Sequence, residues 1–195
     1  MTKADAETDI NLTALVTGLK KIIVSAGWEF KLADGEAYDT DLCCFILGRD
    51  NLTREDEDFV FYNNPQGAQL ALRHLGDSRV EADPVDDQAI SIDFDNLSFE
   101  IWRIVFVVSI YQGDERDQHM GKLQDMTFRV ENGDANAEIY RFKVDRSKLG
   151  EATAVRVAEI YRNGVEWFLT PAGDPIKGGL SEAARQYGIL ISSTT

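Results

Sequence analysis

From Ile10 to Leu169 the chain is a succession of about ten apolar runs of strand length with very little helical spacing between them. Ile10-Asn11-Leu12-Thr13 alternates, and Leu19 to Trp28 carries Ile22, Ile23 and Val24. Cys43 to Leu47 and Phe59 to Tyr62 are apolar throughout. Ala89 to Phe94 alternates strictly, which puts Ile90, Ile92 and Phe94 on one face. Ile101 to Tyr111 is almost continuously β-branched or aromatic, the pattern of a strand covered on both sides. Met126 to Val130 and Ile139 to Val144 alternate again. Val155 to Tyr161 and Val165 to Leu169 are joined by Arg162-Asn163-Gly164. Asn-Gly between apolar runs predicts a hairpin, because a type I′ turn needs positive φ at both central residues. The fold class expected is all-β: a β-sandwich of two antiparallel-rich sheets. A short C-terminal helix is expected over Ser181 to Tyr187, with Ser181 as N-cap and Gly188 just past its end. Gln112 to Leu123 has room for a helical turn or more. No repeat, linker or long charge block divides the chain, so one domain is expected over residues 10–191, after an acidic tail at 1–9.

With 195 residues and 44% hydrophobic side chains, the chain can bury a sizeable core. Its formal net charge of −14, from 34 acids and 20 bases, argues against nucleic acid and anionic membrane as partners and in favour of cations. The start, Met1 to Glu7, is polar and acidic, unlike a secretory leader. No apolar run reaches the roughly 18 residues of a membrane span, so no direct membrane insertion is expected. The two cysteines, Cys43 and Cys44, are adjacent. Neighbouring Cα atoms lie about 3.8 Å apart, closer than a disulfide usually allows. In a strand the two thiols point to opposite faces and serve as core. Reduced cysteines fit a cytoplasmic protein.

Aspartates gather at particular places. Asp39 and Asp41 stand two apart before an apolar run, Asp77 follows Gly76, and Asp83, Asp86 and Asp87 precede Ile90. Asp39 and Asp41 share a face if the strand begins there, and two carboxylates on one face repel unless a cation lies between them. Asn63 and Asn64 end an apolar run, and one of them can offer a carbonyl oxygen, although a plain turn before Pro65 explains them equally well. Oxygen donors of this kind suit Ca²⁺, which takes six to eight of them. The arrangement is not an EF-hand: after Asp39-x-Asp41 there is no Gly at the sixth loop position and no Glu at the twelfth. The alternative is that these Asp are simply solvated. The two histidines, His74 and His119, are too few for an ordinary zinc site. There is no Gly-x-Ser-x-Gly elbow and no phosphate loop of the Walker type. Gly178-Gly179 suits either a tight turn or an anion at the helix start.

Taken in order, these segments resemble the bacterial TerD family of tellurium-resistance and general stress proteins. The resemblance is carried by Ile10 to Thr13, Ala26-Gly27-Trp28, Tyr38-Asp39-Thr40-Asp41 and Asp58 to Asn64. It continues through His74-x-Gly76-Asp77, Asp86-Asp87, the Ile104 to Val108 run, Gly121, Glu159 to Arg162, Gly164-x-Glu166-Trp167, Gly178-Gly179-Leu180 and Tyr187-Gly188-Ile189. It implies a cytoplasmic β-sandwich that binds Ca²⁺ through acidic loops in a bacterial stress system. It implies partners among other stress-system proteins, family paralogues included, and no known enzymatic chemistry. By position it assigns Asp39, Asp41, Asn63, Asp77, Asp86 and Asp87 as metal ligands, for one or two Ca²⁺ ions. The chain departs from the family loop where Ser78 replaces Asn, Glu81 to Val85 replaces a Gly-rich acidic stretch, and Gln88 replaces Glu. Pro84 cannot ligate through its side chain, and lost glycines stiffen a loop that must wrap an ion. A weakened or single-ion site is therefore expected. An ion-free interaction scaffold of the same fold is the alternative, and an enzyme the third reading.

Overall fold

A computed structural model describes residues 9–31, 33, 37–76 and 88–189, together with the backbone of Asp77. The fold is two six-stranded antiparallel sheets packed face to face. The first contains β1 (Ile10–Asn11), β3 (Thr40–Leu47), β4 (Phe59–Val60), β8 (Arg103–Ile110), β11 (Ala154–Asn163) and β12 (Glu166–Ile176). Its order is β1-β12-β11-β8-β3-β4. The second contains β2 (Lys21–Phe30), β5 (Gln66–Gly67), β6 (Leu72–Asp77), β7 (Gln88–Asp93), β9 (Leu123–Asn132) and β10 (Ala137–Lys143). Its order is β10-β9-β2-β7-β6-β5. The expected sandwich is thus the observed one. No helix among the described residues is long and apolar enough to cross a membrane.

Period-two alternation builds the core. Leu42, Cys44 and Ile46 of β3 point between the sheets, where they meet Phe106, Val108, Ile90 and Phe128. Cys43, Phe45 and Leu47 point the other way, into a second cluster with Val105, Val107 and Ala183. That second cluster lies under helix α2 (Gly179–Gln186), which is why β3 and β8 are apolar on both faces. Both cysteines are free and buried, on opposite faces as their adjacency predicts. Burial pushes both thiols up, with Cys44 and Asp41 adding to the effect on Cys43, and Asp58 to that on Cys44. They are neutral packing groups, poor ligands for a soft metal.

Local detail corrects several expectations. The Ile10 to Thr13 alternation is a strand for two residues only. Asn11 Oδ1 accepts the Ala14 N–H at 2.9 Å and starts a four-residue helix, Leu12–Leu15. Gln112 to Leu123, where a helical turn is expected, forms turns, one of them closed by the Arg116 N–H on the Gln112 carbonyl at 3.0 Å, and a 3₁₀ segment, Met120–Lys122. The β11–β12 hairpin pairs Asn163 with Glu166, so its loop is Gly164-Val165 and not Asn163-Gly164. Only Gly164 has positive φ (63°) there, the requirement of a type II′ turn. Helix α2 starts after Gly178 (φ 87°), not at Ser181, while Gly188 (φ 91°) follows its end as expected. Of the acidic tail expected at 1–9, only Asp9 is described, and its carboxylate accepts from Tyr161 Oη at 2.7 Å and Thr170 Oγ1 at 2.6 Å.

The two sheets approach closely where Gly67 of β5 meets β3 and β4. A Cβ on Gly67 would stand 2.5 Å from Val60 Cγ2 and 2.8 Å from Ile46 Cδ1, with the Glu57 carbonyl at 3.0 Å. Gly67→Ala is therefore expected to destabilise by about 1–3 kcal/mol through overpacking. Urea unfolding measures it, and a midpoint equal to wild type would show that this edge yields freely.

Candidate metal centre

β3 begins at the end of the sandwich where β4 is too short to cover it. β4 pairs only with Cys44 and Phe45, which leaves the outer edge of β3 unpaired by any strand at Leu42. Two side chains from the opposite sheet close this gap. Gln88 Oε1 accepts the Leu42 N–H at 2.7 Å, and His74 Nε2 lies 3.0 Å from the Leu42 carbonyl. The Gly76 N–H donates to His74 Nδ1 at 3.0 Å, so the ring proton is on Nε2 and is given to Leu42. Gly76, at φ 76°, turns its N–H back onto the ring, and the β6–β7 register shifts between His74 and Asp77. Buried backbone groups need partners, and here a histidine and a glutamine replace a missing strand.

The same glutamine reaches the acidic positions. Gln88 Nε2 donates to Asp41 Oδ1 at 3.0 Å. Gln88 also pairs with Asp77 across β6 and β7. Asp41, Asp77 and the position after Asp87 are thereby drawn to one end of the fold. Asp39 is exposed beside them, and its carbonyl accepts the Tyr111 N–H at 2.7 Å. Tyr62, in the turn after β4, has its phenol pushed up by burial, with Asp41, Tyr111 and Asp39 adding to the effect. That places the Tyr62-Asn63 turn within the field of both carboxylates. Asn63 is exposed and makes no hydrogen bond with a described residue. Asn64 is instead a turn residue, whose Nδ2 donates to the Phe59 carbonyl at 2.7 Å. The side chains of Asp77, Asp83, Asp86 and Asp87 lie outside the described residues.

The donors at this end are hard oxygens. Asp39 and Asp41 supply carboxylates; separately, the buried Thr40 Oγ1, Tyr38 Oη and Gln118 Oε1 have no hydrogen-bond partner among the described residues. Such orphaned oxygens fit an end of the fold that holds water or a cation. Among the described residues no group of three or more His, Cys, Asp or Glu is assembled for a metal. A full Ca²⁺ shell therefore needs donors from 78–87, from the backbone or from water. The role of Gln88 was not legible in its sequence position. A Glu there would place a carboxylate where an amide N–H now donates to Asp41. Gln88→Glu is expected to cost about 1–3 kcal/mol in chelator, through the lost donor and the new like-charge contact. Ca²⁺ should restore most of the loss. Thermal melts in chelator and in Ca²⁺ measure both, and an equal loss in the two would place any ion away from Asp41.

The comparisons with known proteins identify the family. The TerD domain model matches residues 3–187. Tellurium resistance protein TerD of Serratia marcescens is 32% identical over 184 residues, covering 94% of this chain and 95% of that protein. General stress protein 16U of Bacillus subtilis is 30% identical over 183 residues, covering 93% of this chain and 94% of that one. Among solved structures, a homologue of telluride resistance protein (TerD) from Streptomyces coelicolor A3(2) superposes with a TM-score of 0.63. It is 20% identical and covers 88% of this chain and 97% of that chain, a likeness of fold. A match over nearly the whole chain, with relatives at 30% identity or more along almost their full length, establishes that this chain belongs to the TerD family of tellurium- and stress-resistance proteins.

Proposed function

We propose that this chain is a Ca²⁺-binding stress-response protein of the cytoplasm that acts through protein partners, paralogues of its own family among them, and not by turnover. The observation that carries the reading is the 3.0 Å bond from Gln88 to Asp41. It ties the start of β7, directly after Asp86-Asp87, to the Asp39-x-Asp41 strand, and Asp77 faces Gln88 from β6. Asp39, Asp41, Asn63, Asp77, Asp86 and Asp87 are the proposed donors. When bound, Ca²⁺ would neutralise the carboxylates that hold it. The protein's own contribution is the His74–Gln88 closure, which fixes the backbone on which Asp41 stands. One carboxylate oxygen of Asp41 is engaged by a neutral amide, consistent with a weaker site than an all-carboxylate one. An ion that binds only the folded form stabilises it by roughly 2.7 kcal/mol at a hundredfold excess over its dissociation constant. Mg²⁺ should do less, because it demands tight octahedral geometry and keeps its waters. Calorimetry with Ca²⁺ on chelator-stripped protein tests the reading. Saturable heat and a raised Tm in Ca²⁺ are expected, and neither would appear if the chain is an ion-free scaffold.

A further inference from the structure

At the far end of the first sheet from Asp41, two arginines have no carboxylate partner among the described residues. Leu47 and Tyr161 both pair with Arg103, at the end of β8 away from Ile110 and Thr40. Beyond them the Trp102 N–H donates to the Leu47 carbonyl at 2.9 Å, and the Arg162 N–H donates to the Trp102 carbonyl at 2.9 Å. Arg162 and its cross-hairpin partner Trp167 therefore sit beside Trp102, at the mouth of the sandwich.

Arg162 is 8% exposed, yet it makes no ion pair or side-chain hydrogen bond among the described residues. Its Nε is buried with no hydrogen-bond partner among the described residues. The guanidinium packs over two rings, its carbon 4.7 Å from the Trp167 centroid and 5.0 Å from that of Phe99. Burial alone lowers its pKa, with no carboxylate opposing the effect. Arg49 lies 4.0 Å over the ring of Trp102, the residue whose carbonyl accepts the Arg162 N–H, and has no carboxylate partner among the described residues. Phe99 and Val165 form an apolar rim, 83% and 88% exposed. In a chain with 34 acidic side chains, that neither arginine has a carboxylate partner among the described residues is informative. Stacking satisfies the faces of a guanidinium but not its in-plane N–H donors. A buried cation without a counter-charge is costly to keep.

We propose that this end binds an oxyanion, a carboxylate or a phosphate group. Arg162 is the bidentate contact, Arg49 the second cation, and Phe99 the movable rim. The Arg162 guanidinium packs over the Trp167 and Phe99 rings, and its planar fork of N–H donors matches a two-oxygen acceptor. This site is independent of any Ca²⁺ at Asp41 and uses different residues.

The test is a titration of the whole chain, followed by NMR at the Arg162 Nε–H and the Phe99 ring, with inorganic phosphate and with acetate as separate probes. Chloride at matched ionic strength is the control. A saturable shift of both signals with either probe is expected, and the tighter probe identifies which anion the site prefers. Arg162→Lys keeps the charge but loses the fork, and should weaken binding about tenfold. Phe99→Ala changes an exposed side chain, so it reads the rim without unfolding the chain, and should weaken binding several-fold. Shifts reproduced by chloride, or absent with both probes, overturn the proposal. So does an unchanged midpoint in Arg162→Lys. Should the lysine variant fail to fold, the wild-type and Phe99→Ala titrations still decide.

Discussion

Arg54→Met will cost the fold about 3–5 kcal/mol, the loss expected when a buried carboxylate is stripped of its cation. Asp58 is fully buried at the start of β4. Arg54 grips it with two parallel bonds, Nε to Oδ2 and Nη2 to Oδ1, each 2.8 Å. The Arg54 backbone N–H adds a third bond to Oδ2 at 3.1 Å. The hydrogen bond to Asp58 is the main reason the Arg54 pKa is raised. The pair fastens the segment between β3 and β4 and presents Phe59, which stacks on Phe45 at 4.6 Å. Methionine keeps much of the apolar stem, so the loss reports the charge and not the packing. Asp58→Asn in the same background removes the stranded charge and should recover part of the stability. Urea denaturation of the two single variants and the double variant closes the cycle. Additive losses, or an Arg54→Met midpoint within about 1 kcal/mol of wild type, would mean that water reaches Asp58 freely.

This pair also shows where sequence reading stops. Asp58 opens a segment that the family resemblance picks out, but nothing in its spacing shows that it is buried against Arg54. The strands were legible because alternation is local: Ile90 and Ile92 of β7 face the core in the register their period predicts. The failures are places where one side chain or one φ overrides the period. Asn11 caps a helix and stops β1 after two residues. Gly164 alone accepts positive φ in the hairpin, so the turn moves by one residue. At the candidate site, Asp39 and Asp41 were readable from their spacing. The link that positions them was not, because Gln88 and His74 bond backbone groups of another sheet, and such bonds leave no local pattern. Arg162 was readable only as a matching family position, since its lack of a carboxylate is a fact of three dimensions.

Asp39→Ala or Asp77→Ala should abolish measurable Ca²⁺ binding, while Asp83→Ala should change it only modestly. Asp39 and Asp77 stand where the chain keeps the family pattern, whereas Asp83 precedes Pro84 in the part it has rewritten. Asp39 follows directly from the backbone bond that ties it to Tyr111, so it keeps its place whether or not an ion is bound. Asp77 faces Gln88, whose amide is bonded to Asp41, so losing either carboxylate removes a donor from the same end. With both kept, saturating Ca²⁺ adds roughly 2.7 kcal/mol at a hundredfold excess, and that increment should vanish in the first two variants. Asp83→Ala loses only long-range charge, which salt screens over a Debye length of about 8 Å at physiological ionic strength. Its effect should therefore be larger at low salt than at physiological salt, while the other two losses should be insensitive to salt. The fold should survive all three changes, because these positions lie outside the apolar runs of the strands. Calorimetry and thermal melts at two ionic strengths separate the outcomes. If Asp83→Ala removes binding and Asp39→Ala leaves it intact, the ion sits in the rewritten loop, and the Gln88 contact to Asp41 serves only to close the edge of β3.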